Sequence, residues 1–332
     1  MEKLKLFWGT LTDERHIGNL YGYKTHNEML KQYTEKREDI EIVKEIGEAD
    51  VCLYITTPEI FDDRPDKPTF LFTMFEGTTI PEIYIKNFKK ADFLIVPSTW
   101  VKTLFSDYFD PNKIFVVPHG VEEWVKYRDR KLRPKHFRYL WIGAANPRKG
   151  YQELIYTWHA AGLDLLPQIE LYIKTTRVPN VTLQQNRNVI LDSRNLSRKE
   201  LIDLYYEAHC FVFPTRGEGF GLTLAEAMAT GLPCIATGCS GETEFFDDNV
   251  GWTLKYKMGE ADVKSWIHGD MGKTTVAYPE MSDLLDKMAW IHENYGVALI
   301  KGKKGSIKIR SEYTWDNSAR KLKEAFDRGL SL

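Results

Sequence analysis

The segment FPTRGEGFGLTLAEAMATGLP, Phe213 to Pro233, is the most informative part of this sequence. Its apolar start predicts a buried strand, its glycines predict a tight turn, and its Leu- and Ala-rich second half predicts a helix. Gly217, Gly219 and Gly221 permit backbone conformations that other residues resist, so a ligand can approach the main chain. The free amide groups at the helix start form an anion site. This order of elements predicts phosphate binding in a doubly wound α/β domain.

Two carboxylates flank the predicted phosphate site. Glu218 lies inside the glycine-rich turn, and Glu226 follows in the helix. A carboxylate repels a nearby phosphate unless it binds hydroxyl groups instead. Sugars supply hydroxyls, so the pair predicts a ligand with phosphates, a ribose and a hexose. Because Thr223 and Glu226 have the spacing of a capping box, a structural role is the alternative for Glu226.

A second cluster, WIGAANPRKG at residues 141–150, again predicts a strand, a turn and a helix start. Arg148 and Lys149 place two cations at the end of this strand. Arg can bind a phosphate through two parallel hydrogen bonds and Lys acts as a point charge, so the pair could neutralise a departing diphosphate without a metal ion. A solvated basic surface is the alternative, but the position at a strand end favours a functional role.

Short apolar runs alternate with helical patterns along the whole chain, which is typical of strands joined by crossover helices. In the first half, strands are predicted at residues 4–7, 51–55, 69–72, 93–96 and 114–117, and helices at 23–36, 81–90 and 99–108. In the second half, strands are predicted at residues 137–142, 169–173, 189–191, 210–213 and 234–237.

Capping residues mark several helix starts. Ser98 suits the start of one helix, and Ser197 with Glu200 has capping-box spacing. Further helices are expected after Gly150 and Gly221. A last helix at residues 315–328 is predicted to have an apolar face made of Leu322, Ala325, Phe326 and Leu330.

These patterns predict an α/β protein with two Rossmann-like, doubly wound parallel-sheet domains that face each other across a cleft. We expect an N-terminal acceptor domain at residues 1–121, a charged linker at 122–136, a C-terminal donor domain at 137–312, and a helix at 313–332 that packs back on the N-terminal domain. Ligands bind outside the carboxyl ends of parallel strands, so the function is predicted to lie in the cleft.

The composition is that of a globular protein, with 43% apolar and 28% charged residues among 332. The net charge of -2 gives no overall electrostatic attraction to nucleic acids, although a local basic patch could still bind them. The first apolar stretch is too short for a secretion signal, no run is long enough to cross a bilayer, and the four cysteines match no zinc spacing. We therefore expect a cytoplasmic protein. Lys86 to Lys90 leaves a peripheral membrane contact open, with an ordinary helix surface as the alternative.

Beyond these physical signals, the run from Glu218 to Ala229 resembles the paired-glutamate signature of retaining glycosyltransferases of family 4, which have the glycosyltransferase B (GT-B) architecture. Residues 115–122 resemble the interdomain segment of that family, and residues 148–150 its phosphate-binding turn. Residues 240–244 and 248–251 resemble its late loop, and residues 313–320 its final helix.

The resemblance implies roles for individual residues. Glu218 would contact the hydroxyls of the donor sugar, Glu226 the ribose, and Lys149 with Arg148 the leaving group. The remaining donor-binding candidates lie in or near the same turns, and they are Gly143, Arg194, Gly219, Phe220, Gly221, Leu222 and Thr223. The resemblance implies no metal ion and no cofactor other than the nucleotide-sugar donor.

Some positions depart from the family. Ala144 stands where members often have Arg, so Arg148 would have to supply that charge. Glu76 stands near a strand end where many members have His, and it is the best local candidate for the acceptor side. Gly18, in a loop with Gly22, and His119 at the hinge complete the acceptor-side candidates; a simple turn and a structural histidine are the alternatives.

The implied function is that of a retaining glycosyltransferase that moves a hexose-type sugar from a UDP- or GDP-sugar to an acceptor hydroxyl. The acceptor could be a glycan, a lipid-linked sugar, a small molecule or even a modified nucleic acid. Two alternatives stay open. A nucleotide-sugar epimerase or hydrolase would use the same donor site, and a binding protein would keep that site without turnover.

Overall fold

The computed structural model describes residues 3–9, 21–61, 66–132, 134–176, 188–262 and 272–332. Each of the two predicted domains has its own parallel sheet of six strands, which confirms the predicted fold class. Gly18, one of the acceptor-side candidates, lies outside the described residues.

The first sheet consists of parallel strands buried between helices. Its strands are β1 (Leu4–Gly9), β2 (Ile40–Val43), β3 (Val51–Ile55), β4 (Thr69–Phe72), β5 (Phe93–Val96) and β6 (Ile114–Val116). They are arranged in the order β2-β1-β3-β4-β5-β6. In the central register, Leu53 lies opposite Trp8 on one side and Phe70 on the other. The continuous apolar runs of β4 and β5 follow from burial on both faces.

The second sheet repeats this architecture. Its strands are β7 (Phe137–Ile142), β8 (Ile169–Lys174), β9 (Val189–Asp192), β10 (Cys210–Phe213), β11 (Cys234–Thr237) and β12 (Trp252–Leu254). They run parallel in the order β12-β11-β10-β7-β8-β9. An antiparallel hairpin of β13 (Tyr256–Asp262) and β14 (Lys273–Pro279) follows this sheet. The neighbouring strands β7 and β10 carry the two predicted phosphate turns, so both turns emerge at the same sheet edge.

The helices of both domains cover the sheets. They are α1 (Tyr21–Glu35), α2 (Glu82–Phe88), α3 (Thr99–Phe105), α4 (Tyr151–Ala160), α5 (Arg198–Glu207), α6 (Leu222–Ala229), α7 (Met281–Glu293), α8 (Tyr295–Glu312) and α9 (Trp315–Leu330). Among the described helices, none combines the length and the apolar character that crossing a membrane requires.

The capping predictions have mixed outcomes. Ser98 accepts a hydrogen bond from the Val101 amide at 3.3 Å, and Ser197 and Glu200 form the predicted capping box. The capping box proposed for Thr223 and Glu226 is wrong. Helix α6 begins at Leu222 with a glycine as its N-cap, so Thr223 already lies inside the helix.

The last helix, α9, packs on the first sheet. Its residues Trp315, Leu322 and Phe326 share a buried apolar cluster with Leu6 and Phe70 of that sheet. The Phe70 and Phe326 rings meet edge to face, with centroids 4.9 Å apart. Leu330 is an exception to the predicted apolar face, because it is 44% exposed at the helix end.

The predicted linker is fixed on the second domain. Arg130 donates hydrogen bonds to the carbonyls of Thr230 at 2.9 Å and Tyr205 at 3.0 Å. The Val121 amide bonds the Tyr313 carbonyl at 2.8 Å, so the two places where the chain crosses between domains lie side by side. A side chain at Gly120 would collide with the backbone at Trp315, which explains the glycine there.

Candidate active site at the domain contact

The glycine-rich turn lies at the contact between the two domains. Gly217 packs against the Glu76 carbonyl and Gly219 against the Met74 side chain, and neither leaves room for a Cβ atom. Gly221 adopts a φ of 95°, which other residues avoid, and it places α6 directly behind the turn. The amide end of α6 therefore lies where β4 of the first domain ends.

Glu218 is the central carboxylate of this turn. It is only 6% exposed, and Lys149 Nζ lies 2.6 and 2.8 Å from its two oxygens. The Thr215 hydroxyl donates a third hydrogen bond at 2.7 Å. Burial opposes ionisation, but Lys149 and Arg148 outweigh it and hold the pKa of Glu218 below its ordinary value. Glu218 is therefore an anion near neutral pH.

Arg148 joins carboxylates of both domains. Its Nη1 lies 3.3 Å from Glu218 Oε1, and its Nη2 lies 3.3 Å from Glu76 Oε1. The same Nη1 also donates to the Gly217 carbonyl. Burial alone would lower the pKa of Arg148, but Glu76 and Glu218 raise it above its usual range. In Lys149, burial has the larger effect and lowers the pKa, although Glu218 counteracts it.

The late loop of the second domain holds the backbone of Glu218. The Glu218 amide donates to Ser240 Oγ at 2.8 Å, and the Glu218 carbonyl accepts from the Gly241 amide at 2.9 Å. Ser240 Oγ in turn donates to Glu242 at 2.5 Å. Burial raises the pKa of Glu242 to about 7, although Ser240 and backbone amides favour its ionised form. From the sequence, residues 240–244 were noted only as resembling a loop of the family, and Ser240 and Glu242 were given no role, because the tertiary contact alone reveals it.

Glu226, the second carboxylate, belongs to a separate buried network. Its Oε1 lies 2.5 Å from Arg198 Nη2, and its Oε2 accepts from the Tyr205 hydroxyl at 2.9 Å. Arg198 also binds both oxygens of Glu122 at 2.6 and 2.7 Å. Burial raises the pKa of Glu226 above its ordinary value, with Arg198 acting in the opposite direction. No sequence spacing indicated this link between the linker, α5 and α6.

The first domain holds the glycine-rich turn through the start of α3. The Ser98 hydroxyl donates to the Gly219 carbonyl at 2.8 Å, and the Thr99 amide donates to Glu244 Oε2 at 2.7 Å. The hairpin makes a further contact, in which the Thr78 amide donates to the Thr275 carbonyl at 3.0 Å. The two domains therefore meet through hydrogen bonds on both sides of the charged cluster.

Near Glu76, a tyrosine of α1 completes the first-domain side. The Tyr23 hydroxyl accepts from the Met74 amide at 3.2 Å and lies 3.4 Å from the Thr73 hydroxyl. Burial and the charge of Glu76 raise the pKa of Tyr23, so its hydroxyl stays protonated. Tyr23 can therefore donate a hydrogen bond to a ligand near Glu76.

His119 lies inside an aromatic stack beside the site. It is 5% exposed, its ring lies 4.1 Å from that of His26, and the Phe220 ring is 5.0 Å away. Among the described residues, neither ring nitrogen of either histidine has a hydrogen-bond partner. Burial lowers the pKa of His119 to about 3, so the ring is neutral and packs as an apolar group.

The other donor-site candidates are spread along the edge of the second sheet. Gly143 follows β7, where its amide donates to the Lys174 carbonyl at 3.0 Å. Arg194 follows the edge strand β9, and its 72% exposed side chain pairs with Asp192 at 2.8 Å. Buried Lys174 donates to the Arg194 carbonyl at 2.6 Å and fixes this loop. Arg194 therefore lies apart from the Glu218 cluster, at the far end of the same sheet edge.

The described ranges of the chain contain no group of three or more His, Cys, Asp or Glu side chains that could hold a metal ion.

The sequence matches a known family over part of its length. Residues 136–267 match the family model described as glycosyl transferases group 1. The chain is 28% identical over 216 residues to the ORF313 protein of Acidianus filamentous virus 1, a provisionally assigned glycosyltransferase, and this alignment covers 59% of the chain and 64% of the relative. It is 29% identical over 154 residues to the MMP alpha-(1->4)-mannosyltransferase of Mycolicibacterium hassiacum, covering 44% of the chain and 36% of that enzyme. The alignments thus span about a third to two thirds of these relatives.

Similar solved structures extend over nearly the whole chain. Sucrose-phosphate synthase from Thermosynechococcus elongatus has a TM-score of 0.67 at 16% identity, with 97% of this chain and 80% of that one covered. HepE of Anabaena, in complex with UDP and glucose, has a TM-score of 0.68 at 14% identity, with 98% and 100% covered. The two-sheet architecture is therefore the GT-B fold, and its second domain carries the glycosyl transferase group 1 match.

Proposed function

We propose that this protein is a retaining, metal-independent glycosyltransferase that moves a hexose-type sugar from a nucleoside diphosphate sugar to an acceptor hydroxyl. One observation carries the proposal. Glu218, Lys149 and Arg148 lie together beside the amide end of α6, and Glu76 of the other domain joins them. Anion-binding and hydroxyl-binding groups thus occupy the same interdomain contact.

The donor diphosphate would bind at the glycine-rich turn. The amides around Phe220 and Gly221 and the positive end of the α6 dipole favour negative charge there. Lys149 now pairs with Glu218, and a diphosphate would compete for that ammonium group. Once Lys149 turns to the phosphate, the Glu218 carboxylate becomes available to sugar hydroxyls. Donor binding thereby exchanges one buried ion pair for two matched contacts.

The proposed reaction uses this arrangement. The bond between the anomeric carbon and the diphosphate oxygen breaks as the acceptor oxygen bonds to the same face of that carbon. The acceptor proton moves to the departing diphosphate, and the anomeric configuration is kept. Arg148 and Lys149 stabilise the charge that develops on the leaving oxygen, an effect for which one donor typically contributes roughly 100-fold or more in rate.

The nucleoside and acceptor would lie on opposite sides of this centre. Glu226 would bind the ribose once Arg198 or Tyr205 shares its oxygens, and the loop containing Arg194 would contact the base. The complex of HepE with UDP and glucose supports testing UDP-hexoses first. On the first-domain side, Glu76 would accept a hydrogen bond from the acceptor hydroxyl, with Tyr23 nearby.

A ligand screen followed by product analysis tests the proposal. UDP- and GDP-hexoses are compared by thermal shift, because a ligand at 100 times its Kd stabilises the folded state by about 2.7 kcal/mol. Donors that bind are then incubated with acceptor mixtures and a chelator, and the anomeric configuration of the product is determined by NMR. We expect an acceptor-dependent product with retained configuration and undiminished yield in chelator.

Three outcomes would contradict specific parts of this function. Rapid release of an epimer or free sugar without acceptor would show an epimerase or hydrolase. Tight donor binding with no product from any acceptor would show a binding protein. Loss of activity in chelator, restored by a divalent cation, would refute metal independence alone.

A further inference from the structure

The outward face of α8 carries exposed aliphatic side chains together with basic ones. Positions 297, 300, 304, 307 and 311 recur every three or four residues and so form one stripe along the helix. Val297, Ile300 and Ile307 in this stripe are 56%, 62% and 62% exposed. Lys304 and Ser311 occupy the other two positions, so the stripe combines three exposed aliphatic side chains with one basic and one polar side chain.

The linker extends this surface. Leu132 is 65% exposed, and its side chain lies 3.6 Å from the position that a Cβ atom of Gly296 would occupy. Exposed Lys131 precedes it. Further along the helix, Lys303 lies 5.7 Å from the centre of the linker Tyr127 ring. The basal surface is defined here as Lys131, Leu132, Val297, Ile300, Lys303, Lys304, Ile307 and Arg310.

Positive charge is concentrated on the same helix. Within α8, five cationic residues face a single acidic one, Glu312. Lys301 is drawn inward to the Gly251 carbonyl at 2.7 Å, and Lys308 lies 3.8 Å from Asp247. The cations of the basal surface, in contrast, are exposed, with Lys304 within the stripe and the others near it.

The opposite face of α8 cannot exchange places with this stripe. Ala298, Gly302, Ser306 and Ile309 are buried against the second domain, and Ser306 donates to the Ala229 carbonyl at 2.6 Å. Gly302 packs so closely on the Gly231 carbonyl that a side chain there would have to displace the backbone. The helix orientation is therefore fixed, and the aliphatic stripe stays outside the folded monomer.

We propose that the basal surface docks the protein on an anionic lipid bilayer. Aliphatic side chains gain free energy by entering the acyl boundary, while lysines and arginines attract anionic headgroups. A nucleic acid would use the cations but leave the aliphatic stripe unburied. A symmetric contact with a second copy would place basic groups opposite basic groups. The charge pattern therefore matches a bilayer better than either alternative.

Vesicle co-sedimentation of the whole chain tests this proposal. Vesicles of phosphatidylcholine alone are compared with vesicles that also contain phosphatidylglycerol. We expect binding only to the anionic vesicles, with loss at high salt. Because one basic residue near an anionic surface contributes roughly fivefold to binding, K303Q/K304Q should weaken binding by roughly 25-fold. I300S/I307S should weaken binding to the anionic vesicles at low salt, because the aliphatic side chains no longer enter the acyl boundary.

A matched variant at another exposed pair of lysines provides the control. K86Q/K89Q replaces Lys86 of α2 and its C-cap residue Lys89, and it should leave vesicle binding unchanged. Equal binding of K303Q/K304Q and the parent chain would overturn the proposal, as would equal loss in the α2 variant. A dimer in solution that I300S/I307S dissociates would instead assign the surface to a second copy. Thermal-shift responses to nucleotide sugars should be the same in all three variants, so this test stands apart from that of the enzymatic proposal.

Discussion

Lys149 Nζ binds both carboxylate oxygens of Glu218, at 2.6 and 2.8 Å, within a site where each group is largely buried. The pair joins the two phosphate turns of the second domain, which lie far apart in sequence but on neighbouring strands. Each partner thereby keeps the other charged until a ligand replaces one of the two contacts.

Replacing Glu218 tests its role toward the sugar. Glu218→Gln keeps the size of the side chain but removes the charge, and we expect kcat to fall roughly 100-fold or more. The folded state should persist, because the amide can still bond Thr215. Steady-state kinetics measure the loss, and Glu324→Gln, at an exposed pair in α9, is the control. Full activity of the Glu218→Gln enzyme would refute the assignment.

Lys149 and Glu218 should behave as a coupled pair. Lys149→Met should also lower kcat roughly 100-fold or more, since a leaving-group cation is lost. In the double variant the losses should not add, because each single substitution already disrupts the shared arrangement. A double-mutant cycle in kcat/KM measures the coupling. Strict additivity would mean that the two side chains act independently.

The glycine at position 217 is predicted to be essential for the domain contact. Gly217→Ala places a methyl group against the Glu76 carbonyl, so the domains must separate or the turn must shift. We expect a lower Tm and a loss of activity of roughly 100-fold, as a misplacement of about 1 Å can cause. Gly47→Ala, where no atom lies within 4 Å of the added methyl, should leave activity unchanged.

Arg198 should be important for stability. Arg198→Met leaves Glu122 and Glu226 buried without their shared cation, and we expect a loss of about 3 to 5 kcal/mol in the free energy of unfolding. Urea denaturation measures this loss. Arg198→Lys should lose less stability, because it keeps a cation beside the two carboxylates. Arg320→Met, at an exposed pair, should change the free energy of unfolding by less than about 1 kcal/mol. Equal effects at both arginines would contradict the network.

The buried histidines predict acid sensitivity. Burial lowers the pKa of His119 from 6.5 to about 3, so below pH 6.5 the unfolded chain binds the additional proton. Stability should therefore decrease as the pH falls from 6.5 toward 3, and about 2 kcal/mol of it is lost by about pH 5. His119→Phe should remove the part of this pH dependence that comes from His119, while the part that comes from His26 should remain. Urea denaturation at pH 6.5 and pH 5 measures the free energy of unfolding of the parent chain and of His119→Phe. The same dependence of that free energy on pH in both proteins would contradict this explanation.

The central strands of both sheets were predicted more accurately from the sequence than the edge strands. Strands such as β4 and β10 are continuous apolar runs, because helices cover both faces, and they were predicted with their observed bounds. Edge strand β2 was missed because its IEIV segment alternates with charge, and β12 because it is only three residues long. The exposed hairpin and helices α7 and α8 were not predicted. Several of their solvent-facing residues are apolar, so their apolar residues do not follow the regular spacing of one buried face.

The candidate site shows a similar division. Local spacing was sufficient to single out Glu218, Lys149 and Arg148, because glycines and basic residues mark a turn on each chain segment. Local spacing gave no role to residues that act through tertiary contacts. Ser240 reaches Glu218 from a distant loop, and Arg198 joins two acidic residues that lie far apart in sequence.

The position of α9 has a consequence for synthesis on the ribosome. The buried cluster of the first sheet includes Trp315, Leu322 and Phe326, which are translated after all six strands of that sheet and after the second domain. Until they emerge, that side of the sheet has only part of its native cover, which includes Leu30 and Tyr33 of α1. The first domain therefore completes its folding after the second domain has been translated. A nascent chain that stalls earlier would expose apolar surface to chaperones.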